Sequence, residues 1–234
     1  MEYCPEFKEL INRLDELQYI GFGNPNAKIL LIGKECSDEP NSFNEENCNK
    51  PNLTHWKKIL SQETQPENYS FNPLYPFKGL KLKELSGGHL WRKYQKIVDG
   101  IIDNNTSEFV DFHQHAFLTE LNSVTSRYSK YSLEVKESIH LRCKNLLRDS
   151  FFKKFPITIA CCGHYPSQYH IDLEDVFGVK WDKPTKNVVN DKNTKCGWIN
   201  IHYAEGRILI HTRHLSMCSN ALLNNIIELC KPYY

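Results

Sequence analysis

Apolar residues recur along this chain in two rhythms, and the rhythms predict its elements. Phe7, Leu10, Ile11, Leu14 and Leu17 repeat at helical spacing, so residues 3–18 are expected to form an amphipathic helix. Gly21-Phe22-Gly23-Asn24-Pro25-Asn26 breaks the pattern. Ala27–Gly33 is a short apolar run between turn residues, the mark of a strand buried on both faces. Residues 38–90 are rich in Asn, Pro, Glu and Lys, with scattered aromatics. Only Thr54–Leu60 reads as a helix there, and so long a stretch is expected to be a functional loop region or a lid. Trp91, Tyr94, Ile97, Val98 and Ile101 mark a second clear helix. Ala116–Asn122 reads as a strand ending in polar residues, Leu133–Ser150 as a helix, and Ile157–Gly163 as a third strand. The Lys-, Asn- and Asp-rich residues 178–197 are expected to be a loop. Trp198–Tyr203 reads as a strand that Glu205-Gly206 turns back into the last buried run, Arg207–Ile210. A final helix runs from Ala221 to about Cys230.

Helices alternating with buried strands predict an α/β fold. The expected form is a three-layer α/β/α arrangement on a mainly parallel central sheet of about four strands. No internal repeat or dividing linker interrupts residues 1–234, so one domain is expected. The four strand ends carry Glu35, Asn122, His164 and His211. Right-handed crossovers put such ends on one edge, and open α/β sheets bind ligands at the carboxyl ends of their strands. The stretch His211-Thr212-Arg213-His214-Leu215-Ser216, between the last strand and the last helix, is therefore the loop around which a site is expected.

Composition narrows the picture. The chain has 29 basic and 28 acidic residues, a net charge of +1, so a nucleic-acid partner needs a local basic patch. Nine cysteines without any C-x-x-C pair read as reduced thiols, with the adjacent Cys161-Cys162 in the core; no metal and no cofactor is expected. The N-terminal stretch lacks a basic start followed by an apolar run, and no segment approaches the ~20 apolar residues of a membrane span. The expectation is a cytoplasmic monomer with no membrane partner.

Three segments, in order, resemble the uracil-DNA glycosylase superfamily over nearly the whole chain. Gly21-Phe22-Gly23-Asn24-Pro25-Asn26-Ala27 and the apolar run after it resemble that family's G-x-G-N-P-x-A opening and first strand. Gly33-Lys34-Glu35-Cys36-Ser37 stands where members read G-Q-D-P-Y, G-E-A-P-G or G-I-N-P-G, the water-activating motif. Leu121-Asn122-Ser123-Val124 resembles L-N-x-V. His211 to Ser216 resembles the closing H-P-S-P-L-S, with the His, Leu and Ser at the same spacing.

The resemblance implies a DNA glycosylase that hydrolyses the N-glycosidic bond of a flipped-out, damaged or deaminated base. Cleavage develops positive charge on the sugar and negative charge on the leaving base. Glu35 would stabilise the cation and orient water, and His211 would donate to a carbonyl of the base. Asn122 would read the base edge, with Phe43 as the stacking aromatic. Ser37 stands where the family's Tyr excludes thymine and is too small to do so. Leu215 would be the wedge that fills the flipped nucleotide's place. Arg213, His214 and Ser216 would contact the DNA backbone. Two alternatives stay open: a non-catalytic glycosylase-like protein that binds nucleic acid or a protein partner, and an enzyme of free nucleosides or nucleotides.

Overall fold

The computed structural model describes residues 2–15, 18–36, 51–61, 72–76, 79–87, 89–104, 107–125 and 131–234. Among the described residues, seven strands form one sheet: β1 (Phe22–Gly23), β2 (Ile29–Gly33), β3 (Ala116–Glu120), β4 (Ile157–Ala160), β5 (Lys180–Val189), β6 (Lys195–Ala204) and β7 (Arg207–Thr212). Their order is β1-β3-β2-β4-β7-β6-β5. The most apolar run, β2, lies inside the sheet. Its Leu30 and Ile32 enter one hydrophobic cluster and its Ile29 and Leu31 the other, as the two-residue repeat of a strand requires.

β2 pairs in parallel with β3 and β4, and β4 pairs in parallel with β7. The outer pairings, β1 with β3, β7 with β6 and β6 with β5, are antiparallel. The fold is therefore α/β, but the sheet is mixed and wider than the mainly parallel four strands expected.

Residues 178–197, expected as a loop, are the larger part of a long hairpin. β5 was hidden because it is an edge strand on which only Val188 is buried, so it lacks the apolar run that marks an inner strand. Its turn is built by Asn190, whose Oδ1 accepts from the backbone of Lys192 and Thr194, and by Asn193 in the left-handed region at φ 57°.

Helices cover both faces. On one side lie α1 (Pro5–Arg13), α2 (Asn52–Leu60), α4 (Leu133–Arg142), α5 (Ser150–Lys153) and α7 (Leu173–Phe177). On the other lie α3 (Leu90–Ile102) and α8 (Asn220–Cys230). One-turn α6 (Tyr165–Gln168) follows β4. α1 is shorter than the spacing suggests: Pro5 opens it, and Leu14 turns to extended backbone while its side chain stays buried. Asp149 and Ser219 cap α5 and α8 with side-chain oxygens. Among the described residues, no helix is long and apolar enough to cross a membrane.

Candidate functional site

After β2, the chain places β3 on one side and then β4 and β7 on the other. The strand order thus reverses between β2 and β4, where open α/β sheets form a ligand crevice beyond the carboxyl ends. The backbone ties these ends together. Asn122 N donates to Lys34 O at 2.8 Å, Cys161 N to Ile32 O at 2.7 Å, and Gly163 N to Thr212 O at 3.0 Å.

A cleft of about 610 Å³ opens at this edge. Lys34 lines it from the end of β2 and Gly163 to Tyr165 from the end of β4. Arg213, His214 and Ser216 line it after β7, and Lys195 to Trp198 from the hairpin. Among the described residues, three cations face it and no carboxylate lines it. Its aromatic wall pairs His164 with Trp198, ring centres 5.4 Å apart and 30° between planes.

Lys34 reaches from the end of β2 to the residues that follow β4. Its Nζ sits 4.7 Å over the Tyr165 ring. Gly163, at φ 60°, makes room for it, since a Cβ there would come 3.2 Å from Lys34 Cε. The Tyr165 hydroxyl in turn donates to Glu35 Oε2 at 2.6 Å, which tethers that carboxylate to a lining residue although Glu35 does not itself line the cleft.

A second carboxylate lies beside Glu35. Glu120, the last residue of β3, packs directly on Gly33, where a Cβ would sit 2.1 Å from its Oε2. Among the described residues, that oxygen is buried without a hydrogen-bond partner. Burial, then the nearby charge of Glu35, push the Glu120 carboxyl up to about 8, and Arg142 pulls the other way. Glu120 is therefore mostly protonated at neutral pH. Arg142 itself is buried and spends its guanidinium on Tyr19 O, Glu120 O and Thr119 Oγ1.

The expected site residues divide. His211 lies within β7, not in the loop after it. Its Nε2 donates to Gly163 O at 2.7 Å and its Nδ1 accepts from Asn200 Nδ2 at 3.3 Å. Burial lowers its pKa to about 4, so it is a neutral ring with both nitrogens engaged. Of the two histidines in the stretch after Ile210, His214 is the one that lines the cleft. Its Nδ1 accepts from Ser216 Oγ at 2.7 Å, which leaves the ring proton on Nε2. Burial first, then Lys34 and Arg213, lower its pKa to about 4 as well.

Asn122 is fully buried, and its amide closes on its own loop. Nδ2 donates to Val124 O and Oδ1 accepts from Val124 N, both at 3.0 Å. Leu215, expected as a surface wedge, is fully buried in the core with α3 and α8. The apolar side chain that the loop exposes is Met217, 82% accessible on a left-handed residue. Arg213 is exposed at the cleft mouth. Ser37 and Phe43 lie outside the described residues.

Lys34, Tyr165, Lys195, Trp198 and Glu120 were not singled out by the sequence. Glu120 had a signal, a charge closing the apolar run Ala116-Phe117-Leu118-Thr119. Among the described residues, no three His, Cys, Asp or Glu side chains cluster as metal ligands would. No protein-family model matches this chain, and neither does any curated protein or any solved structure.

Proposed function

We propose that the cleft takes one nucleotide of a DNA strand and that the chain hydrolyses its N-glycosidic bond, as a uracil-DNA glycosylase-like repair enzyme. One observation carries the reading: three cations and an aromatic wall line a cleft at the strand-order reversal, with the Glu35 carboxylate hydrogen-bonded to the lining residue Tyr165. Lys34, Lys195 and Arg213 suit phosphate, and His164 with Trp198 suits a planar base. Glu35 lies one residue beyond Lys34 and would steady the positive charge developing on the sugar and orient the attacking water. Water adds to the sugar carbon, and the base leaves with a proton.

The neutral ring of His214, with its proton on Nε2, suits donation to an anionic base oxygen better than the closed ring of His211. Read from His214, the family's H-P-S segment keeps its first and third residues, His214 and Ser216. Met217 then becomes the apolar residue available to enter a base stack. A reducing cytoplasmic setting fits the free thiols of the described cysteines.

The test is abasic-site formation on single- and double-stranded DNA carrying uracil, hypoxanthine or xanthine. The native chain should give product. Glu35→Gln and His214→Asn should each lower the rate by about 10²-fold or more, whereas His211→Asn, if folded, should retain it. Absence of product from every substrate at high enzyme concentration ends the proposal. A second reading, nucleic-acid binding without turnover, is favoured by Asn122, whose amide is already satisfied by Val124. Salt-sensitive binding with no product would select it.

A further inference from the structure

The net charge of +1 conceals an uneven distribution. Residues 180–195 hold five lysines, Lys180, Lys183, Lys186, Lys192 and Lys195, against Asp182 and Asp191. All five are exposed. Lys180 lies 3.9 Å from Glu174; among the described residues the other four make no ion pair. This basic segment is the β5–β6 hairpin, which begins inside the cleft at Lys195 and Trp198 and extends to the open edge of the sheet.

One face of the hairpin carries planar and amide side chains. The pairings Asn187 with Trp198 and Trp181 with His202, and the two-residue repeat along β6, put Trp181, Asn187, Trp198, Asn200 and His202 on that face. Trp181 stacks on His202 with ring centres 6.4 Å apart, and Lys183 Nζ lies 5.3 Å over the Trp181 ring. From Trp198 in the cleft to His202, beside Trp181, is roughly 13 Å along the strand.

We propose that the β5–β6 hairpin is an arm that holds a single-stranded nucleic acid where it runs out of the cleft. The lysines take its phosphates, and half-buried Trp181 and Trp198 with exposed Asn187 meet its unpaired bases, whereas His202 is buried and the Asn200 amide is spent on Thr185 and His211. An acidic protein would match the charge but would leave the ring-bearing face without planar partners, and a duplex would keep its bases stacked away from it. The inference rests on the reading that the cleft takes a nucleotide, but it does not need turnover.

The test is fluorescence anisotropy of the full chain with a labelled thymidine oligonucleotide of roughly a dozen residues, over a salt series. Deoxyuridine monophosphate, bound alone, reports on the cleft. The joint variant Lys183→Gln, Lys186→Gln, Lys192→Gln alters only exposed side chains outside the cleft. It should reduce the slope of log K against log salt by about 2, some 0.7 for each phosphate no longer neutralised. It should leave mononucleotide affinity unchanged. Trp181→Phe, which keeps a ring, should bind the oligonucleotide more tightly than Trp181→Ala, by roughly fivefold or more. An unchanged slope in the joint variant overturns the arm, and so does polyglutamate competing as well as the oligonucleotide. Failure of the mononucleotide to bind counts instead against the cleft reading, and binding without abasic product counts against the glycosylase reading alone.

Discussion

Replacing Glu120 by Gln should change how the stability of the fold depends on pH. In the native chain the folded carboxyl titrates near 8, against an ordinary value of 4.5. Between those values the folded state keeps a proton that the unfolded chain has released. Rising pH therefore favours unfolding, and the contribution present below 4.5 is lost as pH rises through 8. With 1.36 kcal/mol for each pH unit, native stability from this group should fall by about 3–4 kcal/mol between pH 5 and pH 8. Gln fills the same space on Gly33 and cannot ionise. Urea unfolding of both proteins at the two pH values isolates the effect, since any pH-independent cost of the amide cancels in the double difference. If the two proteins lose stability in parallel, within roughly 0.5 kcal/mol, Glu120 is not a buried protonated carboxyl.

Three further outcomes follow from the same geometry. Leu215→Ala should cost about 2–5 kcal/mol of stability in thermal or urea unfolding, whereas Met217→Ala should change it by less than about 0.5 kcal/mol; equal effects would mean Leu215 is not in the core. Gly33→Ala drives a methyl into the Glu120 carboxyl and should destabilise by about 1–3 kcal/mol, and pairing it with Glu120→Ala should recover most of that loss. His211 is held neutral well below its ordinary 6.5, so its contribution is present above pH 6.5 and is lost as pH falls through about 4. His211→Asn should flatten that acid limb, measured by ellipticity against pH, and an unchanged limb would speak against the closed ring.

The inner strands were legible because burial on both faces demands unbroken apolar runs, as at Ile29–Ile32 and Ile157–Ala160. The hairpin was not, because an edge strand meets solvent along most of its length, and lysines and asparagines at such positions look the same in a loop. The last strand shows why the site was harder to read. Its apolar run ends at Ile210, yet Thr212 still pairs with Ile199, so the strand outlasts its hydrophobic signal by two residues. That extension draws His211 into the sheet and leaves His214 for the loop. Spacing alone could not separate two histidines three residues apart, and the bonds that close His211 come from Gly163 and Asn200, distant in sequence. For the same reason Leu215, in a polar stretch, gave no sign that it faces inward.

The open border formed by β5 carries a further consequence. Ten residues of strand end the sheet there, and an unpaired strand is a template for another chain to join. Lysines at 180, 183 and 186 and the proline at 184, which has no amide hydrogen to offer, discourage that growth. Two such borders brought together would set like charges side by side. The basic character of this rim thus guards against edge-to-edge aggregation whatever else it meets, and chains stripped of it should clump first when concentrated.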